Sequence, residues 1–95
     1  MDRQEALGLL NDQLEEYRNM SYAELAAKMG YEEFPEVVGR SGTAYQIEIQ
    51  VRWDYKPGGD IRVMGSIDDG TFRGAFKPVC RDLIVKPDEQ DLDDE

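Results

Sequence analysis

Apolar residues recur with helical spacing in the first third of the chain and with strand spacing in its middle. Ala6, Leu7, Leu10, Leu14 and Tyr17 fall on one helical stripe, and Asp12, Glu15 and Glu16 lie outside it. Asp2 followed by Glu5 makes an N-terminal box whose acids suit the positive end of the helix, and Asn19 ends the run. Ser21-Tyr22-Ala23-Glu24 then has the order of a capping box, with Met20 and Leu25 at the two positions of a hydrophobic staple. Tyr22, Leu25, Ala26 and Met29 share a face, and Gly30 supplies the left-handed residue that closes this second helix. The two helices meet at Met20 and Ser21 with almost no linker, so the chain turns a sharp corner there.

Pro35 and Gly39 exclude a helix from "YEEFPEVVGRSG", which leaves Val37-Val38 for a short strand. Tyr45, Ile47, Ile49, Val51 and Trp53 alternate with Gln46, Glu48, Gln50, Arg52 and Asp54, the pattern of a strand with one dry and one wet face. "YKPGGD" reads as a turn, with Pro57 at its first central position and Gly58 or Gly59 at positive φ. Ile61, Val63, Gly65 and Ile67 carry a second strand. Asp69-Gly70 reads as a two-residue hairpin turn leading to a third strand with Phe72, Gly74 and Phe76. In that register Ile67 faces Phe72, Gly65 faces Gly74 and Val63 faces Phe76, so every apolar residue lands on one side. "KPVCRD" interrupts the pattern, and Leu83-Ile84-Val85 makes a short last strand before Pro87. The expected fold class is α+β: two N-terminal helices packed on one face of a three- to five-stranded antiparallel meander sheet.

Composition sets the limits of this picture. Ninety-five residues make a single α+β domain, assigned to residues 1–86. Residues 87–95, "PDEQDLDDE", hold six acids and no base and read as a disordered acidic tail. The tail accounts for most of the net charge of −10; the body alone, with 15 acids and 11 bases, is −4. Cys80 is the only cysteine, so no disulfide forms within the chain and a cytoplasmic location is the expectation. The chain has no histidine, which removes the usual base near neutral pH and the commonest metal ligand. A zinc site, a cofactor and a catalytic centre are therefore not expected. The first residues, "MDRQEALGLLND", carry acids and no long apolar run, so neither a signal peptide nor a membrane span is expected there. Asp68, Asp69, Asp54 and Asp60 lie at opposite ends of one strand and lack calcium-loop spacing, so no calcium site is expected either.

The two faces of the sheet hold the candidate sites. Arg52, Arg62, Arg73 and Lys77 point to the wet side, opposed mainly by Glu48 and Asp54. The face carries no aromatic for base stacking and the whole chain is acidic, which argues against nucleic acid and for a protein partner. On the dry side Gly65 and Gly74 sit together. They permit either close packing by a helix, through Ala26 or Ala6, or a small ligand concavity. A third reading is an acidic immunity- or antitoxin-like protein that neutralises a basic partner through its tail and helix-face acids. An exposed sheet edge would also allow a homodimer.

The stretch "WDYKPGGDIRVMGSIDDGTFRGAF" places Trp-Asp, Gly-Asp-Ile-Arg-Val and Ser-Ile-Asp-Asp-Gly in order. In this it resembles a type of small, stand-alone bacterial domain of unknown function. The resemblance covers about a quarter of the chain and implies no activity, cofactor or site residue. The functional expectation is a non-enzymatic protein-interaction module using the arginine-bearing sheet face.

Overall fold

The computed structural model describes residues 2–70 and 78–87. Helix α1 runs from Arg3 to Arg18 and helix α2 from Tyr22 to Ala27. Asp2 caps α1, its side chain accepting the Glu5 N–H at 3.1 Å, and Asn19 ends it. Ser21 forms the complete capping box. Its hydroxyl accepts the Glu24 N–H at 3.1 Å, and Glu24 accepts the Ser21 N–H at 2.8 Å. Both corners of the helical layer are thus written in neighbouring residues.

The strands are β1 (Glu32–Glu33), β2 (Glu36–Val38), β3 (Ala44–Trp53), β4 (Ile61–Asp68) and β5 (Val79–Val85). They form one antiparallel sheet in which β1 and β2 flank the same edge of β3, followed by β4 and β5. Glu32 faces Gln50, Glu33 faces Ile49 and Val37 faces Tyr45 in one unbroken register. β1 and β2 are therefore a single edge strand interrupted at Pro35. The Pro35 carbonyl accepts the Ile47 N–H at 2.9 Å, but proline has no N–H to return. Between β3 and β4 the Pro57-Gly58 turn closes as its residues predict, with the Gly59 N–H on the Lys56 carbonyl and Gly58 at φ +85°.

The connection after β4 corrects the sequence reading. β4 pairs with β5, placing Ile67 opposite Val79, Gly65 opposite Arg81 and Val63 opposite Leu83. The positions expected for Phe72, Gly74 and Phe76 are taken by residues from "VCRDLIV", which is one strand of seven residues rather than a break and a short end piece. Asp69 does not adopt the positive φ that the tight turn requires of both central residues. Instead the Asp68 carboxylate accepts the Gly70 N–H at 2.8 Å and opens a longer connection. The physical reason lies in the ladder. Val79–Val85 offers β4 seven consecutive partners, several β-branched, against a shorter segment weakened by a central glycine. Phe72, Arg73, Gly74, Phe76 and Lys77 lie outside the described residues, as do residues 88–95 of the acidic tail.

α1 lies across β4 and β5, and α2 packs against the β4 end of the same face. Ala6, Leu10, Leu14, Tyr17 and Leu25 from the helices meet Tyr45, Ile47, Ile49, Val51, Ile61, Val63 and Ile67 from the sheet. Among the described residues no charged side chain is buried, and every buried side-chain nitrogen or oxygen has a hydrogen-bond partner. No described helix is long and apolar enough to cross a membrane.

Candidate functional site

Among the described residues the helices cover one face of the sheet and leave the other open. On the open face Arg52 and Arg62 are direct cross-strand partners. Like charges in register repel, so this pair stands only because acids flank it. Arg62 donates from Nε to Asp54 at 2.8 Å and also pairs with Asp82 of β5. The Asp54 hydrogen bond and charge, with a further contribution from Asp82, hold the Arg62 guanidinium in its charged form more firmly than usual. Arg52 is less engaged. Its closest acid is Glu32 at 3.8 Å, and its side chain is 56% exposed.

Glu32 is itself drawn toward Gln50, whose amide nitrogen donates to Glu32 at 3.1 Å and to Glu48 at 3.0 Å. The described part of this face is thus a lattice of ion pairs rather than a free cationic patch. Arg52 is its more accessible cation. Arg73 and Lys77, expected on the same surface, lie outside the described residues. Apolar side chains complete the face: Ile84 is 43% exposed on β5, and Met64 lies half-buried beside Asp82. The register carried through the interruption at Pro35 sets Phe34, 65% exposed, opposite Glu48.

On the covered face, Gly65 is pressed by α1. A Cβ built there would lie 3.0 Å from Leu10 Cδ1 and 3.2 Å from Leu14 Cδ2. Leucine methyl groups fill the space above Gly65, where a ligand concavity was one of two expectations, and the residues that press on it are Leu10 and Leu14 rather than Ala6 or Ala26. The pairing with Gly74 does not form, because Gly65 stands between Ile49 and Arg81.

A polar network not signalled by the sequence ties α1 to the loop after β2. Glu5 accepts the Ser41 N–H at 3.0 Å, the Ser41 hydroxyl at 2.7 Å and the Tyr45 hydroxyl at 2.8 Å. Gly39 makes room for this carboxylate, since a Cβ there would collide with it. The Ser41 N–H and hydroxyl, then the Tyr45 hydroxyl, hold the Glu5 carboxyl below its ordinary range. Burial and the bond to Glu5 push the Tyr45 phenol up. Tyr17 is pushed up in the same way, by burial and by donating to Glu33. These partners are 16 to 40 residues apart, beyond any local pattern.

The pH dependence of stability follows. A carboxyl lowered in the folded state contributes stability above its unfolded pKa and loses it as pH falls through the folded value. Phenols raised in the folded state contribute below about pH 10 and lose their share as pH rises through the folded values. With no histidine to titrate between them, urea midpoints are expected to hold level from about pH 5.5 to 9 and to fall on both sides. Glu5→Gln should flatten the acid limb and Tyr17→Phe the alkaline one. An acid limb unchanged in Glu5→Gln would remove Glu5 from this role. Comparison with protein-family models, with curated proteins and with solved structures finds no match to this chain.

Proposed function

We propose that this chain is a non-enzymatic protein-interaction module whose binding surface is the open sheet face, with Arg52 at its polar centre. The observation that carries the reading is the exposure of Phe34 and Ile84 on a face that also holds the accessible guanidinium of Arg52. On the covered face the core side chains are buried and those at its margin, among them Trp53, Leu83 and Val85, are half-buried, whereas Phe34 and Ile84 meet solvent. A partner segment with a carboxylate for Arg52 and apolar side chains for Phe34 and Ile84 suits the surface. Arg62, already held by Asp54 and Asp82, sets the geometry rather than the charge. Arg73 and Lys77 are not part of this proposal, because their expected place on the face rested on the hairpin register that β5 replaces. The single cysteine supports a cytoplasmic setting.

The test is affinity capture of partners from extract of the cells that make the protein, comparing wild type with Arg52→Glu. A charge-assisted contact to a carboxylate is worth about 1.5–3 kcal/mol, so reversal should weaken capture at least about tenfold. Glu16→Lys, a charge change of equal size on the outer side of α1, should leave capture intact. Equal capture by wild type and Arg52→Glu would end the proposal. Arg62 is the wrong residue for this test, because a third carboxylate beside Asp54 and Asp82 would disturb the sheet itself.

A further inference from the structure

A cleft of about 500 Å³ lies between the N-terminal half of α1 and the end of β2. Its helical wall presents Asp2, Gly8, Leu9 and Asp12; its strand wall presents Val38 and Arg40. Gly8 is the telling residue. Glycine inside a helix weakens it relative to alanine, so it normally answers a need for close packing or for a left-handed backbone. Gly65 and Gly39 meet the first need, pressed by leucines and by Glu5. Gly8 meets neither: its φ is not positive, and a Cβ built on it would meet nothing within 4 Å. The space that Gly8 leaves opens into the cleft.

The chemistry around this bare stretch of helix is specific. Leu9 and Val38 flank it, and Val38 stays 66% exposed. Asp12 makes no hydrogen bond or ion pair with another described residue. Asp2 uses one carboxylate oxygen to accept the Glu5 N–H. Both acids belong to the α1 side, and Arg40 stands across from them. We infer that the cleft is a docking site for a lysine- or arginine-bearing segment of a basic protein partner. The aliphatic stem of the basic side chain crosses Gly8 between Leu9 and Val38, and its cation meets Asp12. Long basic side chains bury their stems on apolar surface in this way while the charge remains hydrated. The net charge of −10 draws basic partners toward the molecule before the cleft selects among them. The cleft lies beside Val38, which pairs with Ala44 eight positions along β3 from Arg52, and it does not depend on the reading given to Arg52.

The experiment is an amide-shift titration of the ¹⁵N-labelled full chain at about 0.15 M salt, where long-range attraction is screened. The probe is a short synthetic peptide alternating lysine and leucine, with a glutamate-for-lysine version as control. The amides of Gly8, Leu9 and Gly39 are expected to shift with the basic peptide only. Gly8→Leu, which fills the cleft, should weaken binding at least about tenfold. Gly8→Ala should raise the thermal midpoint of the free protein by about 2–8 °C, showing that the glycine serves no internal packing.

Several results would overturn the inference. One is a lowered midpoint in Gly8→Ala. Another is undiminished binding in Gly8→Leu, or shifts spread over all acidic surfaces alike. Binding of N-acetyl-lysine amide as tight as the peptide would make the site one for a small amine instead. Concentration-dependent shifts without any peptide would assign the cleft to a second copy of the chain.

Discussion

Leu14→Ala is expected to lower the unfolding free energy by about 2–5 kcal/mol, with the value in the upper half of that range. The cost of such a truncation depends on how far the surroundings can close over the lost carbons. Leu14 is fully buried and rests on Gly65, a position with no side chain of its own. Leu10 stands on the same position from the same helix, 3.0 Å from where a Cβ would lie, and is itself fully buried. The void therefore stays open. A domain of this length has about 5–15 kcal/mol in total, so the variant should be partly unfolded near body temperature. Urea unfolding with an unchanged m value and a lowered midpoint is the expected record. A loss below about 1 kcal/mol would mean that α1 does not bear on the sheet at this point.

Gly65→Val sets two effects against each other. Valine is favoured over glycine in the middle of a strand by up to about 1 kcal/mol. Against this, even its first carbon would stand 3.0 Å from Leu10 and 3.2 Å from Leu14. Overpacking of a filled core costs about 1–3 kcal/mol, and the second branch of valine has no free direction, so packing wins and the variant loses stability. The same substitution in the Leu14→Ala background should recover part of the first loss, because the added methyl groups enter the space that Leu14 vacates. That non-additivity is the mark of residues in direct contact. A valine accepted without cost in the wild-type protein would show that the space above Gly65 is open, and would restore a ligand concavity there.

What the sequence could reveal followed the range of the interactions. Asp2, Asn19 and the Ser21–Glu24 box act within one helical turn, and each appears at its expected place. The alternation through Tyr45–Trp53 and Ile61–Ile67 set the inward and outward faces correctly, because both strands carry their own period. The partner of β4 was another matter. Asp69-Gly70 is a strong local hairpin signal, yet the choice between residues 72–76 and 79–85 rests on the whole ladder each can form. Arg52 and Arg62 were legible as outward-facing. The acid that ties Arg62 to β5 was not, because Asp82 was read as part of a break. Gly65 leaves two readings open in the sequence, close packing by a helix or a concavity, because helix rotation selects which side chains approach and periodicity does not fix rotation to that accuracy. The Glu5–Ser41–Tyr45 network had no local signature at all.

Trp53 is the only tryptophan, and its ring stands 6.5 Å from that of Tyr22, whose hydroxyl donates to the Gly59 carbonyl at 2.7 Å. Intrinsic fluorescence from this chain is therefore a report on one junction, where the short second helix is pinned to the turn between β3 and β4. Loosening of that helix would change the emission even while the long helix stayed seated. Ligands arriving at the Gly8 cleft, flanked by other elements, would leave the signal quiet unless they moved the whole layer.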